Sequence, residues 1–455
     1  MSSSNRNKQL KYIDLFAGLG GFHIALKKLG FQCVFASEIK QNLADLYERN
    51  FGHKPKGDIT NIPLEDIPEH DILCAGFPCQ PFSKAGDQKG LKDERNGSLF
   101  DSIVKILGHH NPKYFILENV RNLETHNQGE TWAYIQEKLE HQLRYTLQKK
   151  VLSPHQFGIP QHRERCFIVG ARDGLDDFQW PQPTNHTIDL KEYLGEYPAH
   201  ATPLEARKKH ALNVWQEFLA TLAKDIAVPS WPIWSMEFGA TYPFEDKTPE
   251  YSSQIALGKT KGCFGIPLKG MSKAKKFAHL PSYAKRDQKE FPAWKKRYIR
   301  NNRAFYEQHK KILAPVVEKI KQLNVPSWQK FEWNVKGGTR NVCDYIIQFR
   351  GSGIRIKKRN FFPSLVTVST QIPVIGWQNR YLTPKEGARI QSMPNIELPK
   401  NLGSCFSALG NAVNVYLVKK IASRLIKHQP AIIKLSKIKR EPSRTKTSYH
   451  KAIQY

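Results

Sequence analysis

From Lys11 to Arg172, short apolar runs alternate with stretches whose apolar residues recur at helical spacing. The runs Tyr12–Phe16, Cys33–Glu38, Asp71–Phe77, Tyr114–Val120, Tyr145–Leu152 and Cys166–Ala171 are too short for helices and predict strands. Between the first two, Phe22, Ala25, Leu26 and Leu29 mark one helical face, and Gly30 supplies a stop. Strand, helix and strand in succession predict an α/β fold: a mostly parallel sheet with flanking helices. After Trp180 the periodicity fades. Pro, Trp, Tyr and Lys become frequent, and breakers such as Pro229-Ser-Trp-Pro232 and Gly337-Gly338 interrupt the chain, so a smaller, irregular second domain is expected. Helical patterning returns at Thr383–Ser392 and Val413–Lys427. The expected division is therefore 1–180, 181–378, a segment 379–430 that rejoins the first domain, and a basic tail 431–455. Trp231, Trp234 and Tyr242 are expected in the core of the second domain.

Length supports two domains, since 455 residues exceed what one core of roughly 250 to 300 residues holds. No apolar run approaches a membrane span, and the first residues lack a signal-peptide core, so a cytoplasmic chain is expected. Seven scattered cysteines, with neither C-x-x-C nor Cys/His zinc spacing, point to a reducing compartment and no metal. The formal charge of +29 changes the picture most. Such a surplus of Lys and Arg favours polyanions, above all nucleic acid, with an anionic membrane or heparin-like partner left open.

Candidate chemistry gathers at predicted strand ends. Tyr12–Phe16 runs into Ala17-Gly-Leu-Gly-Gly21 and then a helix, which lets backbone N–H groups approach a ligand. His23 stands where a dinucleotide fingerprint wants its third glycine, so a ligand without a pyrophosphate fits better. Glu38 lies where a strand-end carboxylate accepts ribose hydroxyls, or is a solvated strand-end residue. Asp58 is placed to meet an adenine amino group, or merely forms a turn. Asp71-Ile-Leu-Cys-Ala-Gly-Phe-Pro-Cys-Gln-Pro-Phe-Ser83 sets Cys79 between two prolines at a strand's carboxyl end. A rigid loop suits a nucleophile, although a lone cysteine is more often inert. Glu118, closing Tyr114–Val120, should lie beside it in a parallel sheet.

Taken in order, these motifs resemble those of the cytosine-C5 DNA methyltransferases of the bacterial restriction-modification type. Asp14-Leu-Phe-Ala-Gly-Leu-Gly-Gly21 is similar to the family's cofactor loop, Gly76-Phe-Pro-Cys-Gln-Pro-Phe-Ser83 to its nucleophile loop, and Glu118-Asn-Val120 to its carboxylate motif. Gln161-His-Arg-Glu-Arg165 matches its Q-x-R-x-R motif, while Arg380–Arg389 and Leu409–Val413 resemble its two closing motifs. The resemblance implies a Rossmann-like S-adenosylmethionine-dependent fold plus a target-recognition domain. It implies a methyl transfer to C5 of a flipped cytosine in double-stranded DNA, with a cognate endonuclease as a possible companion. Catalytic roles fall on Cys79, Glu118, Arg163 and Arg165, the arginines being otherwise a surface pair. Cofactor contacts fall on Phe16, Gly18, Gly20, Gly21, Glu38, Ile39, Asp58, Ile59, Phe77, Asn411 and Val413. DNA contacts fall on Gln80, Ser83, Gln161, Lys295, Lys296, Arg297, Lys357 and Lys358. A monomer near the nucleoid is expected. A tRNA methyltransferase built on the same motifs and a catalytically silent DNA-binding scaffold are the alternatives. The long segment between Arg172 and Thr383 speaks against the first, and the intact Cys79, Glu118 and glycine loop against the second.

Overall fold

A computed structural model describes residues 9–78, 94–184, 188–196, 198 and 200–426. Cys79, Gln80 and Ser83, the Gly- and charge-rich loop that follows them, and the basic tail lie outside the described residues. The first half is built from β1 (Lys11–Leu15), α1 (Gly21–Lys27), β2 (Gln32–Ser37), α2 (Gln41–Phe51), β3 (Ile72–Gly76), α3 (Glu94–His110), β4 (Tyr114–Val120), α4 (Glu130–Gln136), β5 (Thr146–Leu152), β6 (Gln161–His162) and β7 (Arg165–Ala171).

Six of these strands form one sheet in the order β2-β1-β3-β4-β7-β5. β1 pairs in parallel with β2 and β3, and β3 with β4, while β7 runs antiparallel to both of its neighbours. The apolar runs are continuous because both faces are covered. Ile72, Cys74 and Ile116 face the cluster that contains α1, whereas Leu73, Ala75, Phe115 and Leu117 face the cluster built on α3. Successive side chains of a strand point to opposite faces, so a run buried on both sides loses its alternation. Each fully buried Leu, Ile or Phe contributes about 1.5–3 kcal/mol to holding these layers together.

The second half holds α5 (Ala206–Thr221), β8 (Ile233–Trp234), α6 (Gln254–Gly258), α7 (Lys273–Ala278), α8 (Ala293–Lys321), β9 (Lys330–Asn334), β10 (Ile346–Arg350), β11 (Gly353–Lys357), β12 (Phe362–Pro363), β13 (Val374–Ile375) and β14 (Arg380–Tyr381). A second six-stranded sheet runs β14-β13-β10-β11-β9-β8. Its strands are mostly antiparallel, with β9 and β11 parallel. Among short elements and loops this region carries two long helices that its sequence did not advertise. The stripe Leu212, Trp215, Phe218 and Leu219 buries α5 against α8. α8 departs from helical geometry at His309, ahead of Pro315, whose ring crowds the preceding turn and removes an N–H donor. Trp234 and Tyr242 are buried as expected, and Trp231 is half-buried.

The chain then returns through α9 (Pro384–Ile390), α10 (Leu402–Asn411) and α11 (Val415–Leu425), with α11 packed on α1. α9 opens on a full capping box between Thr383 and Glu386, with Pro384 in its first turn. The two halves are also stitched directly, since β12 pairs in parallel with β6.

Candidate active site

The glycine loop begins where β1 ends. Phe16, Gly18 and Gly20 all have positive φ, which turns the chain sharply into α1. Each glycine answers a different constraint. A side chain on Gly21 would meet Val413 at 2.6 Å, so this glycine makes room for the link that leads into α11. Around Gly18 only its own loop comes near, 3.9 Å away, and the space beside it is open.

Glu38 fastens this loop to the end of β2. Its carboxylate accepts the Gly18 N–H at 2.9 Å through one oxygen and the Lys40 N–H at 2.9 Å through the other. The group is buried but not exhausted, because each oxygen keeps a free lone pair. Next to it Ile39 is 68% exposed, an apolar surface beside a fixed carboxylate. Asp58 accepts from the Thr60 N–H at 3.0 Å and the Thr60 hydroxyl at 2.8 Å through a single oxygen, capping a short turn that buries Ile59. Lys40, Thr367, Asn401, Ser404, Ser407 and Asn411 line a cavity of about 350 Å³ that joins α10 to this edge. Val413 and Phe77 are buried.

Beneath the loop, His23 is buried, stacks on Phe51 at 4.1 Å and shares a 2.7 Å hydrogen bond with the Tyr47 hydroxyl. Burial brings its imidazole down to about 4, so it is neutral and aromatic at pH 7. Asp14 was not singled out from the sequence as a site residue. It is fully buried on β1, and burial pushes its carboxyl well above the usual range, against the pull of the His23 backbone N–H.

The second focus lies two strands along. β3 and β4 are in register at Gly76 and Glu118, and the Asn119 amide donates to the Phe77 carbonyl at 3.2 Å. Glu118 thus stands level with the end of β3, where Phe77 and Pro78 are the last described residues before Cys79. It is buried, and Arg165 Nε lies 2.8 Å from its Oε1 as an ion pair, without the alignment of a hydrogen bond. Arg163 is not a surface residue. It is 2% exposed and donates to the Ser364 hydroxyl and the Leu365 carbonyl, both at 3.2 Å. Burial and the neighbouring Arg165 lower its affinity for a proton, while Glu118 restores part of it. Arg163 therefore holds the segment after β12 against the sheet, and Arg165 is the guanidinium in contact with the carboxylate.

Two expected DNA contacts need correction. Gln161 is fully buried in β6, its amide without a hydrogen-bond partner among the described residues, so no phosphate reaches it in this conformation. Lys295 is also buried, with its ammonium over the rings of Phe291 and Trp294 at 5.0 and 5.7 Å. Burial and nearby Arg286 lower its affinity for a proton. On α8 every third or fourth residue turns inward, and Lys295 falls on that stripe with Ile299 and Asn302. Lys296 is paired with Glu290 at 3.4 Å, whereas Arg297 is exposed. Lys357 is half-buried and Lys358 exposed.

One edge of an α/β sheet thus gathers a glycine loop, a strand-end carboxylate and a glutamate in contact with an arginine. Residues 10–427 match the family described as C-5 cytosine-specific DNA methylase, and the chain belongs to that family. It is 44% identical to the type II methyltransferase M.HhaI of Haemophilus parahaemolyticus across 187 residues, which are 41% of this chain and 57% of that one. The chain thus matches little more than half the length of this relative. It is 28% identical to M.AluI of Cellulosimicrobium cellulans over 95% of each chain. Among solved structures, the Entamoeba histolytica methyltransferase EhMeth superposes with a TM-score of 0.50 over 92% of this chain and 98% of that one, at 14% identity, a likeness of fold. Among the described residues no helix is long and apolar enough to cross a membrane.

Proposed function

We propose that this chain transfers a methyl group from S-adenosylmethionine to C5 of a flipped cytosine in a specific duplex DNA sequence, as the modification partner of a restriction endonuclease. The observation that carries the reading is the arrangement along one sheet edge. Glu118, clamped by Arg165, stands level with the end of the strand that leads to Cys79, and Glu38 with Gly18 faces open space further along.

The residues present fit the cofactor. Glu38 has lone pairs left for ribose hydroxyls, Ile39 offers an apolar face to a planar base, and Asp58 keeps one oxygen for an exocyclic amine. Asn411 reaches the same edge from α10. When bound, S-adenosylmethionine supplies an electrophilic methyl on a sulfonium. With His23 filling the space below the loop, the site favours this phosphate-free linkage over a pyrophosphate.

Cytosine C5 is a poor nucleophile. The Cys79 thiolate adds to C6, the ring's electron pair moves to C5, and C5 becomes enamine-like. Glu118 binds the N3 edge and exocyclic amine and manages the proton there, while Arg165 fixes its orientation. Once C5 carries the methyl, loss of its proton to a base returns the electron pair to the C5–C6 bond and expels Cys79 as the thiolate. In a duplex the ring is stacked, so the reaction requires the base to be flipped out at a cost of a few kcal/mol. The enzyme works in the cytosol beside the nucleoid, as a monomer.

The test is transfer of labelled methyl. Label should enter duplex DNA with the wild-type chain and be lost with Cys79→Ala. Label that enters tRNA and not DNA overturns the reading.

A further inference from the structure

Where β6 meets β12, three rings stack outside the site already described. His155 and His162 lie 4.8 Å apart at 28°, His162 and Phe361 5.5 Å apart at 26°, and His155 and Phe361 5.2 Å apart at 35°. All three are half-buried and leave part of their surface to solvent. The Lys357 ammonium sits 4.8 Å from the centre of the Phe361 ring.

Their position follows from the strand. Gln161 and Arg163 point inward, so His162 between them points outward. Two residues past Arg163 comes Arg165, in contact with Glu118. The stack therefore sits on the segment that leads to Arg165, and Ser153 ties it to that segment: its Oγ bonds His155 Nδ1 at 2.8 Å and accepts the Arg163 backbone N–H at 2.9 Å.

The charge around it is unbalanced. Glu332 is the carboxylate shared by Arg350 and Arg355, and Lys357 continues the same strand as Arg355 with no ion pair among the described residues. Glu164, the carboxylate nearest the histidines, is taken up by Arg121 at 2.7 Å, so an excess of cations beside flat rings remains and makes a surface for an anionic strand with planar groups.

We propose that Lys357 and the His155–His162–Phe361 stack form a contact surface for the DNA backbone beside the target cytosine, with Lys357 on a phosphate and the rings against the adjoining sugar or base. This rests on the DNA methylation reading. Burial and the guanidinium groups of Arg355 and Arg350 bring the Lys357 ammonium down to about 8, and an incoming phosphate relieves that crowding. Burial lowers both histidines, helped by His162 at His155 and by Lys357 at His162, against the pull of Glu164, which leaves them neutral at pH 7 and suited to packing. These are positioning residues. They act through the placement of the strand and not on the reacting atoms.

The test uses the full chain and a mixed-sequence duplex, with binding followed as salt is varied. Lys357→Gln should lower the slope of log K against log salt by about 0.9, the loss of one phosphate contact, and weaken binding several-fold at about 0.1 M salt. Lys357→Arg should restore the slope. Phe361→Leu, which keeps apolar bulk, should raise KM for DNA several-fold with kcat nearly unchanged. Equal melting temperatures establish that the variants are folded. A wild-type slope in Lys357→Gln, with the wild-type chain methylating DNA, overturns the contact surface alone. A wild-type chain that puts no label into duplex DNA overturns the function itself.

Discussion

The two sheets of this molecule bury polar groups in different ways. In the second, the fully buried Glu237 is saturated by three side-chain donors: it accepts from the Tyr242 and Tyr283 hydroxyls through one oxygen and from Arg303 at 3.0 Å through the other. In the first, Glu38 and Glu118 are buried at strand ends with hydrogen-bonding capacity left over. A saturated buried carboxylate fixes local structure, whereas an unsaturated one at a strand's carboxyl end is waiting for a ligand. Burial alone does not separate scaffold from site; what remains to be satisfied does.

The sharpest way to break this contrast is to remove the unsaturated charge. Glu118→Gln keeps the shape and should lower kcat for methyl transfer by about 10²–10⁴, while the melting temperature stays near that of the wild type. A large loss of stability instead would make Glu118 a scaffold residue like Glu237. The converse change is Arg303→Ala, which leaves Glu237 buried without its cation. It should cost about 3 kcal/mol in denaturant unfolding, because the Glu237 side chain is fully buried and Arg303 only 15% exposed. A cost below about 1 kcal/mol would mean that the tyrosines suffice.

A smaller effect comes from the buried histidines of the first half. Burial lowers His23 and His70 to about 4, below their ordinary 6.5. Between about pH 6.5 and 4 the unfolded chain takes up protons at these positions that the folded chain refuses. Stability therefore falls as pH falls, by roughly 1.4 kcal/mol per pH unit for each histidine. His23→Phe should remove one proton from the slope of unfolding free energy against pH, and a slope equal to that of the wild type would sink the assignment. Comparable in size, Gly21→Ala should destabilise by about 1–3 kcal/mol through its clash with Val413, with cofactor affinity lowered less than stability. Urea midpoints and cofactor affinity, measured on the same variant, separate the two effects.

Much of the first sheet was legible because its strands are short apolar runs cut by breakers, and every predicted strand there is present with ends shifted by a residue or so. The reversed β7 was not legible, since a run buried on both faces reads the same in either direction. α10 was missed although Asn401 caps it and Leu402, Cys405, Phe406 and Leu409 form a stripe; Gly403 and Gly410 masked the pattern. α5 and α8 were hidden by a composition rich in Pro, Trp and Lys. Lys295 was misplaced because a basic run carries no sign of which of its members turns inward.

Sequence by itself determined the order of motifs, the glycine loop, Cys79 between its prolines and the cationic excess, since these are local properties of residue type and spacing. Only the tertiary structure decided which charges are spent and which are free. It set Gly76 level with Glu118, brought Arg165 within 2.8 Å of that carboxylate, buried Gln161 and Arg163, and stacked His155 and His162 on Phe361, some two hundred residues away. Pairing and burial depend on neighbours far apart in the chain, and no local pattern encodes them.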